Sequence, residues 1–309
     1  MLRWRIPLAV LFIAILAALG YADAQAARPG IYLAPLAVLL AGLATGEMLR
    51  LFRAGLGPGC LSTPGLDSGK VYYFATLLPV LTSCAPLAWK EYPEDCPVGR
   101  LGWLALGLLA GLLVIVLREM KSFQAEGQSI TRLALGSLCV LYVGGLFGMI
   151  VQLRLISGTE ALPGGKRGLV ALLSMIAIVK ASDIGQYTFG RLLGKHKLAP
   201  ALSPGKTWEG ALGGVATAIA VATLGREPSL ITKATPVETV ALVPLALYAS
   251  SLAVAGILGD LAESLLKRAA GVKDSSDWLP GFGGILDLVD SLLFAAPVAY
   301  VFWASGLFV

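Results

Sequence analysis

Residues Gly256 to Ser291 read GILGDLAESLLKRAAGVKDSSDWLPGFGGILDLVDS, a charged segment between two strongly apolar runs at 239–258 and 292–309. Its charged residues are Asp260, Glu263, Lys267, Arg268, Lys273, Asp274, Asp277, Asp287 and Asp290. Placing a charged side chain near the middle of a bilayer costs at least a few kcal/mol. A cluster of charges beside apolar runs therefore predicts a functional site at membrane depth.

Helical spacing distributes these polar residues over two faces. In a helix, Asp260, Ser264 and Lys267 (i, i+4, i+7) share one face, and Asp287 and Asp290 (i, i+3) share another. A loop rich in Gly and Lys joins the two carboxylate-bearing helix ends. This arrangement predicts a site for a divalent cation and a phosphate group.

The composition is that of a polytopic membrane protein. Of the 309 residues 57% are hydrophobic and 14% are charged, and the mean hydropathy is +0.79; soluble chains average about 25% charged residues. Apolar runs of about 20 residues recur along the chain, which excludes an ordinary soluble domain. We expect an all-α integral membrane protein with about nine transmembrane helices. The runs lie at 6–20, 31–52, 71–89, 101–117, 133–156, 168–189, 210–224, 239–258 and 285–309.

The chain is predicted to have two regions, N-terminal transmembrane helices at 1–165 and a C-terminal catalytic transmembrane region at 166–309. The run Ala24-Gln25-Ala26 resembles a signal-peptidase site. We nevertheless expect a first spanning helix, because a polytopic protein needs no separate signal. No disulfide framework is expected from the four cysteines.

Lys and Arg are more frequent in alternate loops, although Arg154, Lys166 and Arg167 weaken the contrast. The positive-inside rule then predicts a cytoplasmic N-terminus. The two polar segments, and with them the active site, are then predicted to face the cytoplasm, and we expect a multi-pass protein of the cell (inner or plasma) membrane. The net charge of +5 suits anionic headgroups and is too small to indicate nucleic-acid binding.

A second polar segment, residues 182–214, reads SDIGQYTFGRLLGKHKLAPALSPGKTWEGALGG. Asp183 stands at the end of an apolar helix, and Arg191 and Lys206 belong to a basic cluster after it. The run 203–210 is typical of a turn that leads into a new helix, and a helix N-terminus beside Lys and hydroxyl residues favours phosphate. It is not a Walker A loop, because the upstream glycine is missing. Solvated lysines of a cytoplasmic loop are the simpler interpretation.

Together, the two segments resemble the phosphatidate cytidylyltransferases (CDP-diacylglycerol synthases). The residues that fit the family pattern in the first segment are Ser264, Lys267, Arg268, Lys273, Asp274, Pro280, Gly281, Gly283, Gly284, Asp287 and Asp290. Those in the second are Asp183, Gly185, Tyr187, Gly190, Arg191, Gly194, Ser203, Pro204, Lys206, Thr207, Glu209 and Gly210. Two positions depart from the pattern: Phe282 stands where the family has His, and Leu288 where it has Arg.

This resemblance implies transfer of a cytidylyl group from CTP to phosphatidate, giving CDP-diacylglycerol and pyrophosphate for phospholipid synthesis. The attacking phosphate monoester is largely dianionic near neutral pH, so the reaction needs cations more than a strong base. Mg²⁺ is favoured as cofactor, because the ligands would be hard oxygens and the sequence has no His/Cys cluster.

The residues predicted to serve this reaction fall into three groups. The metal ligands would be Asp183, Asp260, Asp287 and Asp290. The catalytic residues would be Asp260, Lys267, Arg268, Lys273, Asp287 and Asp290. The substrate contacts would be Arg191, Ser203, Lys206, Thr207, Ser264, Gly281, Gly283 and Gly284.

Other interpretations stay open at this point. A CTP-dependent lipid or polyprenol kinase would use the same groups, and the two departures also fit a non-catalytic paralogue. A cation-coupled transporter predicts charges in both halves of the chain, whereas the polar cluster is C-terminal. Glu263 with Lys267 fits a simple i,i+4 helix pair, and Glu209 a helix-start carboxylate. The expected partners are CTP, phosphatidate and the lipid bilayer, with no nucleic acid; the oligomeric state stays open, with a homodimer among the options.

Overall fold

The architecture is that of an all-α membrane protein. A computed structural model describes residues 2–57, 68–89, 92–93, 95–123, 128–158, 165–225, 241–276 and 283–306. The chain divides into two compact units, Met1–Leu155 with Leu266–Leu288 and Ile156–Leu265 with Val289–Val309. The predicted division at residue 165 into membrane and catalytic regions stays a prediction.

The first unit consists mainly of helices from the N-terminal half of the chain. A 3₁₀ turn, Ala85–Ala88, follows its third helix, and a π-helical stretch, Cys139–Gly145, separates its last two. The helices are α1 (Leu2–Gln25), α2 (Leu33–Leu56), α3 (Ser68–Ser83), α4 (Gly99–Lys121), α5 (Gln128–Leu138) and α6 (Leu146–Arg154). The unit also includes Leu266–Leu288, from the C-terminal half of the chain.

The second unit contains the remaining helices and a β-hairpin. Its elements are α7 (Lys166–Leu193), β1 (Lys197–Ala199), β2 (Ser203–Thr207), α8 (Trp208–Leu224), most of α9 (Leu242–Ala269) and most of α10 (Ile285–Ala304). The strands are antiparallel, with Lys197 opposite Thr207 and Ala199 opposite Ser203. The sequence predicted a loop and turn here, so the hairpin is more regular than expected.

Six helices in the described part of the chain are long and apolar enough to cross a membrane. They are α2, α4, the continuous stretch Gln128–Arg154, α7, α9 and α10. Each of the nine predicted apolar runs overlaps a helix, but in three of these helices the apolar stretch has fewer than 18 residues. These are Val10–Gln25, α3 with 16 residues, and α8 with 17. The membrane class is therefore confirmed, and the count of nine spans is not.

Small residues bring helices close together within each unit. A Cβ on Gly111 of α4 would lie 2.6 Å from the carbonyl oxygen of Ala75 on α3. On α8, a Cβ on Gly214 would lie 2.5 Å from Cγ of Gln186 on α7. Without a hydrophobic driving force between spanning helices, such close contact is how they gain packing energy.

Two groups of buried ion pairs join helices of the first unit. Asp23, at the end of α1, is 1% exposed and pairs with Arg154, at the end of α6, at 2.5 Å. Glu119 of α4 pairs with its neighbour Arg118 and with Arg132 of α5, and all three are buried. Such charges are tolerated near a bilayer because each has an opposite partner.

Candidate active site

Three carboxylates from two helices lie together in the second unit. Asp260 and Glu263 extend from α9 and Asp290 from α10, and one ligand oxygen of each lies within 4.8 Å of the others. Glu263 is 0% exposed and Asp290 is 7% exposed. Like charges this close repel one another, so a neighbouring positive charge or a bound proton must stabilise the group. Within the described ranges it is the one acidic group whose geometry suits a metal ion.

Glycines on α9 allow this arrangement. A Cβ on Gly259 would collide with the carbonyl oxygen of Asp290, and one on Gly256 would lie 3.6 Å from Cβ of Ser291. The two helix backbones are therefore in direct contact beside the carboxylates. Backbone contact, rather than the reach of flexible side chains, places Asp260 next to Asp290.

The β-hairpin supplies a cation to this cluster. Lys206, near the end of β2, places its Nζ 2.7 Å from Oδ2 of Asp260. The same ammonium donates to the carbonyl oxygen of Ile257 at 3.5 Å. Its side chain is 16% exposed. Lys206 thus partly neutralises the cluster and stays within reach of solvent.

The hairpin is tied to the start of α8. Thr207 is the N-cap residue, and its Oγ1 accepts the backbone N–H of Gly210 at 3.1 Å. Glu209 accepts the backbone N–H of Lys195 at 3.1 Å and contacts Nδ1 of His196 at 2.6 Å. The His196 contact and these backbone donors lower the pKa of Glu209 to about 2. Glu209 therefore fastens the hairpin as an ionised carboxylate, in addition to standing at a helix start as the sequence predicted.

A second carboxylate–lysine group lies between α7 and α10. Lys180 donates to Oδ2 of Asp183 at 3.2 Å and to Oγ of Ser291 at 3.1 Å. Ser291 also donates to Oδ2 of Asp183, at 3.3 Å. Ser291 follows Asp290 in the chain, so α10 carries adjacent residues of both groups. Asp183 therefore lies in the second unit with Lys180 and Ser291, and it is not one of the three carboxylates Asp260, Glu263 and Asp290.

Asp287 occupies a separate network in the first unit. Its Oδ1 lies 2.5 Å from Nζ of Lys267. Its Oδ2 accepts the N–H and the hydroxyl of Ser275, at 3.0 and 2.6 Å, and the N–H of Gly284, at 2.8 Å. These contacts use both carboxylate oxygens. Of the predicted catalytic residues, the structure thus brings Lys267 together with Asp287, and Asp260 together with Asp290.

The glycines before α10 are required by this network. Gly283 has φ +83°, which a side chain rarely adopts, and a Cβ there would lie 2.5 Å from Oδ2 of Asp287. A Cβ on Gly284 would collide with Ser275 and with Glu47. Gly281, together with Pro280 and Phe282, lies outside the described residues.

The other predicted residues are placed as follows. Arg191 is exposed near the end of α7 and donates to Oη of Tyr187 at 3.2 Å. Ser264 is 9% exposed and donates to Asp260 at 3.4 Å. Ser203 is half-buried on β2, whereas Arg268 and Lys273 are exposed.

Three charged residues belong to these networks although the sequence analysis did not assign them to the site: Glu47, Lys180 and Glu263. Glu263 follows Asp260 by three residues, a spacing that predicts a shared helix face. Glu47 and Lys180 each interrupt an otherwise apolar run. A charge inside an apolar run indicates a functional or paired residue, so both could have been found by that signal.

Comparison with known proteins shows the family of the chain. The profile of the cytidylyltransferase family matches residues 4–305. A phosphatidate cytidylyltransferase of Haemophilus influenzae is 36% identical over 215 residues, 70% of each chain. One of Pseudomonas aeruginosa is 34% identical over 239 residues, covering 77% of this chain and 79% of that protein. The uncharacterized protein YnbB of Escherichia coli is 44% identical over 136 residues, 44% of this chain and 43% of that one.

The chain therefore belongs to the cytidylyltransferase family of nucleotidyltransferases. This confirms the resemblance found in the two polar segments. The match also extends over the N-terminal helices, which the sequence motifs did not cover.

Proposed function

We propose that this membrane protein is a phosphatidate cytidylyltransferase, transferring a cytidylyl group from CTP to phosphatidate. The observation that carries the proposal is the Asp260–Glu263–Asp290 cluster with Lys206 beside it, in a chain of the cytidylyltransferase family. The 34–36% identical relatives bear the name of this activity. The products are CDP-diacylglycerol, for phospholipid synthesis, and pyrophosphate.

The reaction is a displacement at phosphorus. An oxygen of the phosphatidate monoester forms a bond to the α-phosphorus of CTP, and the bond from that phosphorus to the β-phosphate oxygen breaks. Because the monoester is largely dianionic near neutral pH, the protein need not supply a strong base. Its task is to hold two polyanions together and to stabilise the negative charge on the departing pyrophosphate.

Lysines of the polar groups suit that task. Lys206 and Lys180 lie beside carboxylates of the second unit, at 2.7 and 3.2 Å. Lys267, in the first unit, is oriented by Asp287. Each ammonium presents several N–H donors, which pair well with phosphate oxygens. The exposed Arg191, Arg268 and Lys273 are further candidates for phosphate contacts.

The carboxylate cluster fits Mg²⁺. Its donors are hard carboxylate oxygens within 4.8 Å of one another, which is the ligand type that Mg²⁺ prefers. We propose Asp260, Glu263 and Asp290 as its ligands. The assignment of Asp183 and Asp287 as further ligands stays a prediction from the sequence. Bound Mg²⁺ would neutralise phosphate charge and orient the nucleotide. The three carboxylates would then hold the nucleotide end of the site, with Lys206 as their counter-charge.

The membrane arrangement completes the proposal. The protein would cross the membrane about nine times, with the N-terminus and both polar segments on the cytoplasmic side. CTP would enter from the cytoplasm, and phosphatidate from the bilayer. Assembly as a homodimer is compatible with this arrangement.

Product analysis tests the activity. Purified protein is incubated with labelled CTP, phosphatidate and Mg²⁺, and the labelled products are identified. CDP-diacylglycerol and pyrophosphate are expected. CDP with a phosphorylated lipid would instead indicate a lipid kinase, and bound CTP without turnover would indicate a non-catalytic paralogue.

A charge-removing variant links the activity to the cluster. Asp290→Asn keeps the side-chain size and should lower kcat by roughly 100-fold or more, the scale of one lost electrostatic contact. Asp95→Asn is the matched control, because Asp95 is exposed in a loop. Equal activity of Asp290→Asn and Asp95→Asn would refute the role of the cluster.

A further inference from the structure

Glu47 lies in the first unit on α2, a helix to which the sequence motifs assign no role. Its Oε1 accepts the backbone N–H of Ile285 at 2.9 Å, and its Oε2 accepts that of Leu286 at 2.8 Å. The residue is 3% exposed. The first N–H groups of a helix have no partner within the helix, and this end of the helix dipole favours negative charge. Glu47 therefore caps α10 from another helix.

Ser275 lies between Glu47 and Asp287. Its hydroxyl lies 3.1 Å from Oε2 of Glu47 and 2.6 Å from Oδ2 of Asp287. A hydroxyl has one proton to donate, and the shorter distance favours Asp287 as its acceptor. The backbone N–H of Ser275 binds the same oxygen of Asp287 at 3.0 Å. Asp287 thus holds Ser275 through its hydroxyl and its backbone N–H, and Oε2 of Glu47 lies beside the same serine oxygen.

The packing at this point leaves little room for another arrangement. A Cβ on Gly284 would collide with both Ser275 and Glu47. On the next turn of α2, Arg50 donates to the hydroxyl of Ser276 at 3.3 Å. The segment before α10 is therefore fastened to α2 at consecutive serines and at the first amides of the helix.

We infer that Glu47 is a positioning residue that fixes the start of α10, so that Asp287 holds the ammonium of Lys267 in its working orientation. The argument rests on the proposed function, in which Lys267 meets a substrate phosphate. Glu47 itself needs no contact with substrate. Its carboxylate acts through the backbone N–H groups of Ile285 and Leu286, which fix the first turn of α10 and so the position of Asp287.

The first test is the substitution Glu47→Gln. Glutamine keeps the length of the side chain but offers only one acceptor oxygen, and its amide NH₂ would face the second backbone N–H. We expect kcat of the folded protein to fall roughly tenfold to hundredfold, as for a misplaced catalytic group. Glu47→Asp, which keeps both acceptors on a shorter side chain, should recover part of that loss.

The matched control is Glu119→Gln. Glu119 is a carboxylate of the same unit with similar burial, 4% against 3%, and it pairs with Arg118 and Arg132 instead. Its replacement should lower the thermal midpoint and leave kcat of the folded fraction unchanged. If Glu47→Gln behaves in the same way, Glu47 is only structural and the inference is wrong.

A double-mutant cycle tests the route of the effect. If Glu47 acts through Lys267, Glu47→Gln should change kcat less than twofold once Lys267→Ala is present, because residues of one hydrogen-bond network couple even without direct contact. A full tenfold to hundredfold loss in that background would overturn the inference.

Amide hydrogen exchange separates this inference from the proposed function. Glu47→Gln should speed exchange at Ile285 and Leu286 by more than tenfold relative to wild type, measured by mass spectrometry on the whole protein in nanodiscs. Unchanged exchange would refute the positioning role, whichever reaction the protein catalyses. A wild-type protein that makes no CDP-lipid would refute the proposed function alone.

Discussion

Nζ of Lys206 lies 2.7 Å from Oδ2 of Asp260, and this contact ties the β-hairpin to the carboxylate cluster. The partner carboxylates Glu263 and Asp290 are buried, whereas the hairpin is largely exposed. The pair therefore lies at the boundary between the helices and the solvent. A nucleotide arriving from solvent would meet this ammonium beside the acidic group.

Replacing Lys206 with Gln should lower kcat/KM for CTP by roughly 100-fold, because a charge-assisted contact to phosphate is lost. Initial rates at varied CTP concentration measure the change. Lys197→Gln is the control, since Lys197 is an exposed lysine of the same hairpin. The same loss in both variants would indicate a general effect of hairpin charge rather than the contact with Asp260.

Replacing Gly259 with Ala should separate α9 from α10. The added Cβ would collide with the carbonyl oxygen of Asp290, and overpacking of this kind costs about 1–3 kcal/mol. The midpoint temperature of thermal unfolding and the turnover rate should both fall. Gly42→Ala in α2 is the control, because a Cβ there meets nothing within 4 Å. A Gly259→Ala protein as stable and active as Gly42→Ala would contradict direct backbone contact.

Replacing Asp23 with Asn should destabilise the first unit without touching the polar clusters. It removes the negative charge that faces the buried guanidinium of Arg154, and losing one partner of a buried ion pair costs roughly 3–5 kcal/mol. Unfolding by denaturant in detergent micelles gives the difference in free energy. The exposed Asp95→Asn should stay within about 0.5 kcal/mol of wild type; equal stability of the two variants would argue against the ion pair.

The contact between Glu209 and His196 should be lost at strongly acidic pH. Because the pKa of Glu209 falls from its ordinary 4.5 to about 2 in the folded protein, its stabilisation is complete above about 4.5 and is lost as the pH drops through about 2. A ¹³C NMR titration of the carboxyl group measures this pKa. His196→Ala should raise it toward 4.5, since the His196 contact is the largest cause. A wild-type value near 4.5 would mean that the contact does not persist in solution.

The helices and part of the candidate site could be predicted from local patterns. Apolar runs determine where helices form, because each run must satisfy its backbone hydrogen bonds internally. Helical spacing and unusual charge singled out Asp260 and Asp290, which the structure brings together with Glu263. Their assignment as metal ligands stays a prediction.

The rest depends on contacts between distant parts of the chain. Glu47 meets Ile285 across 238 residues, and no spacing rule links such positions. Asp287 and Asp290 share a helix, but their carboxylates have different partners, Lys267 for one and the α9 carboxylates for the other. The hairpin also depends on such contacts, because Glu209 fastens backbone amides that precede it by more than a dozen residues.

The buried pair of Asp23 and Arg154 has a consequence for biosynthesis. Its members are 131 residues apart in the chain, and ribosomes add about 5–20 residues per second. On the order of ten seconds must pass between the synthesis of the aspartate and that of its arginine. During that interval Asp23 lacks its arginine, so water, lipid headgroups or the insertion machinery must stabilise this end of the first helix until the sixth helix emerges.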